Sequence, residues 1–249
     1  MNKGPNFSDA VALQFMSRLN AFRSTLNAAQ QKDFDELIES IMSMSPEGLD
    51  DDDEDVFDED ELFLDSMPDF RLTVKVQLKN VKPAVWRKLI VPASLTLAGF
   101  SHVVNIAMGW SGGHLHGFRE GQTEIEDESS VSLWDLLNKK GDWFTYEYDF
   151  GDSWEHRVEL VADVDLTENR DITILAGKNA CPPEDFGGPW YYTEFLDAYL
   201  KKDKKALKGE FAEVMEWLSE GFDPSEFDIV PIQEELDDFS SGKWEPLAF

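Results

Sequence analysis

The chain has 249 residues, 42% of them hydrophobic, with 51 acidic side chains against 22 basic ones and a net charge of −29. Such a field repels phosphate and excludes broad, nonspecific attraction to nucleic acid or to an anionic membrane, and no apolar run reaches the roughly 18 residues of a membrane helix. The length suffices for one well-buried domain plus an appendage, and the single cysteine, Cys181, excludes an internal disulfide framework.

The opening residues MNKGPNFSDA lack the apolar core of a secretory leader, so a cytoplasmic protein is expected. Val11, Phe15, Leu19, Phe22 and Leu26 form one helical stripe, with Ser8 as its N-cap, and Phe34, Leu37, Ile38, Ile41 and Met42 form a second. This predicts a helical hairpin over residues 1–49. Two short helices do not bury both stripes by themselves, so docking on the main domain or pairing in a homodimer is expected.

An acidic linker follows over residues 50–68, with ten acidic residues in the twelve positions from Asp50 to Glu61. From Phe70 to Arg119 the charge reverses: seven basic residues and no Asp or Glu. Either the run is a solvated linker, or it folds back on the basic stretch as an internal competitor for an anionic ligand. In the second reading Arg71, Lys75, Lys79 and Arg87 are the anion-binding candidates, and direct binding to duplex nucleic acid requires the acidic linker to be displaced.

From Phe70 apolar residues alternate with Arg71, Thr73, Lys75, Gln77 and Lys79, the pattern of a half-buried strand, and Val85–Val91 reads as another. Thr96 caps a predicted helix carrying Leu97, Phe100, Val104, Ala107 and Met108, which Gly109 stops. Val131–Leu137 is a short helix, Trp143–Phe150 and Trp154–Val161 make a hairpin about Gly151-Asp152, and Ile172–Leu175 a further strand. Thr193 is read as the cap of a helix over Glu194–Leu200, and Leu207, Phe211, Val214, Met215 and Leu218 as the stripe of a longer one ended by Gly221 and Pro224. Without a regular βαβ alternation, the expected class is α+β: a mainly antiparallel sheet with helices on one face, over residues 69–236, and a tail over 237–249.

Two motif matches fail on context. Gly109–Gly113 fits G-x-S-x-G, yet a nucleophile elbow needs a strand before Ser111 and a helix after it, and here a helix comes first. Asp149-Phe150-Gly151 matches the kinase D-F-G without any of the companion kinase elements.

Chemistry concentrates in three clusters, GWSGGHLHGF, YEYDFGDSWEH and CPPEDFGGPWYY, which hold three of the four histidines and the lone cysteine. Such mixtures are costly inside a plain apolar core, so they suggest a polar cleft or a network of turn-fixing hydrogen bonds. A cleft drawn from all three contains His114, His116, Tyr148, Asp149, Asp152, Trp154, His156, Glu184 and Asp185. His114, His116 and His156 are the candidate metal ligands, with Asp149, Asp152, Glu184 and Asp185 completing a nitrogen and oxygen set for a divalent ion. Tyr146, Tyr148 and Phe150 share one strand face and serve either as core or as a stacking platform for a planar ligand.

Trp86-Arg87, Met108-Gly109-Trp110, His114-Leu115-His116 with Phe118, YDFGDSWEH over 148–156 and CPPEDFGG over 181–188 resemble the plasmid pRiA4b ORF-3-like family. So do Glu216-Trp217-Leu218, Phe222-Asp223-Pro224 and Phe227-Asp228, and the likeness covers residues 70–236. The resemblance implies an α+β domain of a kind found in mobile-element passengers, and no established activity. Relatives often carry a second cysteine near the double proline, where this chain has Phe186, so a thiolate cluster is not implied.

Three functional readings follow. One is a non-enzymatic binding or adaptor domain linked to mobile-element or nucleic-acid processes through a protein partner or a small anionic ligand. The second is a metal-dependent hydrolase of phosphoesterase type, in which the histidines and carboxylates hold an ion that activates water. In the third the clusters are architectural and serve only to satisfy buried backbone groups, and function resides in the N-terminal hairpin.

Overall fold

Strand β1 (Arg71–Leu78) buries every second residue, Leu72, Val74, Val76 and Leu78, and leaves Arg71, Thr73, Lys75 and Gln77 half-buried on the other face. This period of two organises the rest of the computed structural model, which describes residue 23 and residues 28–43, 71–162, 171–218 and 221–243. The chain divides into two units, Met1–Pro68 and Asp69–Phe249. In the first, the described residues contain helix α1 (Ala28–Ser43), with Phe34 buried and Arg23 paired to Asp35 at 2.6 Å. The first helix of the expected hairpin and the acidic run lie outside the described residues.

In the second unit β1 is followed by β2 (Trp86–Pro92), α2 (Leu97–Met108), β3 (His116–Glu120), β4 (Thr123–Ile125) and α3 (Leu133–Leu136). Then come β5 (Trp143–Tyr148), β6 (Trp154–Leu160), β7 (Thr173–Lys178), α4 (Gly188–Lys201), α5 (Lys204–Lys208), α6 (Ala212–Trp217) and α7 (Ile229–Ser240). The seven strands form one antiparallel sheet in the order β4-β3-β5-β6-β1-β2-β7. The α+β class read from the sequence therefore holds.

Register decides what each face carries. Val76 pairs with Val158 and Arg87, Leu78 with His156, His156 with Tyr146, and Tyr146 with Phe118, so these side chains share the inner face. Helix α2 covers that face: Phe100 meets Phe144 edge-on at 6.0 Å, and the Tyr146 hydroxyl donates to Asn105 at 3.1 Å. Its ends follow the sequence signals, since the Thr96 hydroxyl accepts from Gly99 N at 3.2 Å and Gly109 takes the left-handed conformation, φ 82°, at the C-cap.

The C-terminal third departs from the expected pattern. Helix α4 starts at Gly188, because Pro189 suits a first helical turn, and Thr193 lies inside it with its hydroxyl donating to the Pro189 carbonyl at 2.7 Å. The single long helix expected over 207–218 is broken into α5 and α6 at Gly209. Gly209 is a poor helix former, and Phe211 is drawn instead into an aromatic cluster with Tyr191 and Phe195, at 5.3 and 5.6 Å.

Helix α7 runs past residue 236, into the stretch expected as a tail. It touches β7 and α2, and it blocks the β7 edge in a specific way. The Gln233 side chain accepts from Ile174 N at 2.9 Å and donates to the Ile172 carbonyl at 2.9 Å, doing what a paired strand would do.

Candidate functional site

The three polar clusters meet at one end of the sheet. Trp110, just past the C-cap of α2, stacks on Tyr148 of β5 at 4.9 Å, and its indole N–H donates to the Pro182 carbonyl at 2.8 Å. Next to it Glu184, from the double-proline loop, accepts the Tyr148 hydroxyl at 2.6 Å and the Ser111 hydroxyl at 2.8 Å. Ser111 N adds a third bond to that carboxylate at 3.1 Å. Residues of the helix exit, the hairpin and the late loop are thus joined through a single glutamate. Burial, the hydrogen bond to Glu184 and its charge together push the Tyr148 phenol up to about 12, so it stays a donor.

The hairpin tip is a second fastening. Asp149 and Ser153 both sit in the left-handed region at φ 57°, and Asp149 Oδ1 accepts from Gly151 N at 2.9 Å and Asp152 N at 3.3 Å. Asp152 Oδ2 accepts from Gly187 N at 2.8 Å and so ties the tip to the start of α4. Gly188 fits against the same tip. At φ 88°, a Cβ on it would stand 2.7 Å from the Asp152 carbonyl oxygen, a place only glycine fills without displacement.

Within this frame three groups face one another. His114 Nδ1 lies 3.8 Å from Asp149 Oδ2, and its Nε2 lies 3.5 Å from Asp185 Oδ1. One donor atom from each of His114, Asp149 and Asp185 lies within 4.8 Å of the others. Asp149 is largely enclosed, His114 half-buried against the edge of Tyr148, and the Asp185 side chain 79% exposed, so the group opens to solvent on one side.

The other two candidate histidines stand apart. His116 Nε2 is held by Glu128 Oε2 at 3.0 Å. His156 is fully buried on the inner face: its Nδ1 lies 3.3 Å from the Tyr146 carbonyl, Trp110 meets it edge-on at 5.3 Å, and burial depresses its imidazole to about 3. A neutral histidine enclosed by rings is part of the core. Trp154 is buried as well, against Tyr192 at 6.3 Å. Tyr146 and Tyr148 are enclosed while Phe150 is 55% exposed, so the three rings form no continuous stacking platform.

The four anion-binding candidates do not assemble. Arg71 and Lys75 lie on the outer side of β1, where Lys75 is 5.4 Å from the Trp86 ring centroid, and Lys79, just past its end, pairs with Glu155 at 2.6 Å. Arg87 is on the inner face and buried, donating to the carbonyls of Trp86, Ala107, Lys178 and Asn179. Its guanidinium serves as a backbone clamp, with Phe227 stacked at 4.7 Å. Ser111, which donates its hydroxyl to Glu184, acts as a fastener, in keeping with the rejected nucleophile motif. Cys181 is a half-buried free thiol, and burial pushes its pKa up, which disfavours the thiolate. Glu128 carried no signal in the sequence, because its partner His116 is brought to it by the fold alone.

The model of the plasmid pRiA4b ORF-3-like protein family matches residues 71–230. The chain belongs to that family. The match spans the sheet, all three clusters and the helices α2 to α6, and ends at the first turn of α7. An uncharacterised protein of Sinorhizobium fredii (strain NBRC 101917 / NGR234), y4hQ, is 33% identical over 184 residues, covering 69% of this chain and 92% of its own. Among solved structures, the crystal structure of MM3350, a protein of unknown function from Methanosarcina mazei Go1, is similar with a TM-score of 0.54 and 27% identity. The likeness covers 66% of this chain and 97% of that one.

Proposed function

We propose that this pRiA4b ORF-3-like domain is a binding module whose site, at the junction of the three clusters, takes a divalent cation on His114, Asp149 and Asp185. The observation that carries the reading is the facing of one imidazole and two carboxylates with donor atoms within 4.8 Å of one another. The surrounding carboxylates have other work: Glu184 accepts from Ser111 and Tyr148, and Asp152 from Gly187 N. What supports a cation over an anion is the sign of the lining, since the two charged groups within 4.0 Å of the His114 ring nitrogens, Asp149 and Asp185, are both carboxylates.

Mixed nitrogen and oxygen ligation with solvent positions left over suits manganese, iron or zinc. Calorimetric titration of the full chain with Mn²⁺ and Zn²⁺, after treatment with chelator, is expected to give one site per chain. His114→Ala and Asp149→Asn each weaken it by about tenfold or more, whereas His116→Ala leaves it unchanged. Equal affinity in all four proteins, or no heat at all, rejects the assignment.

A second reading, metal-assisted hydrolysis, rests on the same opening: three protein ligands leave coordination positions for water. It predicts metal-dependent cleavage of a phosphoester by the loaded protein that is lost in the Asp149 variant. Binding without turnover favours the module. The net charge of −29 supports a protein or small-ligand partner in preference to duplex nucleic acid in either case.

A further inference from the structure

A recess of about 330 Å³ opens beside the short edge strand β4, outside the cation triad. Its polar lining is Glu124, Glu126, Glu128 and Glu147 with Arg119 and His116, and its apolar lining is Phe118, Ile125 and Phe150 over Gly117. The volume falls at the lower end for small-ligand sites, which are mostly apolar cavities with a few converging polar groups.

The charges inside it are not equivalent. Arg119 is held by Glu147 at 3.1 Å and by Glu155, the Ser153 hydroxyl donates to Glu147 at 2.7 Å, and His116 holds Glu128 at 3.0 Å. Glu124 and Glu126 have no ion pair or side-chain hydrogen bond among the described residues, and both are exposed. Four glutamates and one already engaged arginine leave the recess strongly anionic.

The aromatic wall adds a second, independent requirement. Phe150 is 55% exposed, and its ring lies over Gly117, where a Cβ would meet the ring at 3.4 Å. A large ring left open to water beside unpaired carboxylates is an arrangement that attracts an organic cation: its charge faces the carboxylates and its alkyl part covers the ring. A bare metal ion gains nothing from the phenyl face or from Ile125, and an anion is repelled.

From this lining we infer that the β3–β4 recess is a binding site for the ammonium end of a flexible aliphatic chain, with Glu124 and Glu126 as its charge partners and Phe150 as its aromatic wall. The same chemistry is carried by a free polyamine and by a lysine side chain on another protein. The site does not depend on the metal reading, because none of its lining residues belongs to the triad.

The test uses the full chain in chelator, with spermidine, a short lysine-containing peptide capped at both ends, and n-butanol as three separate probes, followed by the amide shifts of Gly117 and Phe118. The two amines are expected to move these signals saturably and n-butanol not to. Phe150→Leu, which keeps an apolar side chain but removes the ring, weakens binding by about threefold, and the double variant Glu124→Gln with Glu126→Gln by about tenfold or more. All three substitutions are at exposed positions, and thermal unfolding of the variants checks that the fold is retained. Tighter binding of spermidine identifies a polyamine site, and tighter binding of the peptide a lysine site. Amine binding unchanged in both variants, equal response to n-butanol, or no response to either amine overturns the proposal. His114→Ala tests independence, because it weakens metal binding under the first reading and, lying outside the lining of the recess, leaves the amine response intact.

Discussion

His156 shows how a residue type that suggests chemistry is turned into structure. Its place on the inner face follows from the pairing of Leu78, His156 and Tyr146 across three strands, and desolvation holds its imidazole at about 3, far below the ordinary histidine value. Between these two values the unfolded chain binds a proton that the folded chain refuses. Stability is therefore complete above the ordinary value and is lost as the pH falls toward about 3. From pH 7 to pH 5 this one group is expected to remove about 2 kcal/mol. Urea unfolding at both pH values, compared with His156→Met, isolates the effect, since the variant retains the contribution of every other group. Equal pH dependence in the two proteins would show that His156 is protonated in the fold. Glu184 makes the same point from the acidic side: its three hydrogen bonds fix the position of Tyr148 and Ser111, and so frame the triad without joining it.

At the scale of elements, Gln233 is the least expected part. An amide side chain on α7 completes the edge of β7 through bonds to both Ile172 and Ile174, at 2.9 Å each. Replacing it with Met is expected to cost about 1 to 2 kcal/mol and to raise hydrogen exchange at the Ile174 amide selectively, while amides in β1 at the sheet centre keep their protection. Uniform loss of protection would mean that the edge and the centre unfold together. The sequence made β1, β2, α2 and the β5–β6 hairpin legible because each has a local signature: strict alternation, a Thr cap with a Gly stop, or turn residues between two apolar runs. It hid α7 and the break at Gly209 because tertiary contacts decide them, the first by bonds across 59 and 61 residues of chain, the second by the pull of Phe211 into an aromatic cluster. The candidate site divides along the same line. Local composition marked the three clusters, but only the register of the sheet separates His114, which faces Asp149, from His116 and His156, which do not.

At the scale of the whole molecule, the segregation of charge along the chain is blunted in space, because part of the basic stretch is neutralised or withdrawn by the fold. The basic stretch from Phe70 to Arg119 contributes its cations to an outer sheet face that β5 and β6 line with glutamates. Lys79 is held by Glu155, Arg119 by Glu147 and Glu155, and Arg157 by Glu159, while Arg87 is withdrawn into the core. A phosphate arriving at this face must displace carboxylates from Lys79, Arg119 and Arg157, and the counterion release that drives duplex binding is correspondingly reduced. Removing residues 50–61 takes away ten negative charges, yet it frees none of these pairs. Fluorescence anisotropy with a short DNA duplex at physiological salt is therefore expected to show binding weaker than about 100 μM for both the full chain and the deletion. A deletion that bound in the low micromolar range would mean instead that the acidic run had been masking a competent anion-binding face, and that the glutamates on β5 and β6 yield to phosphate.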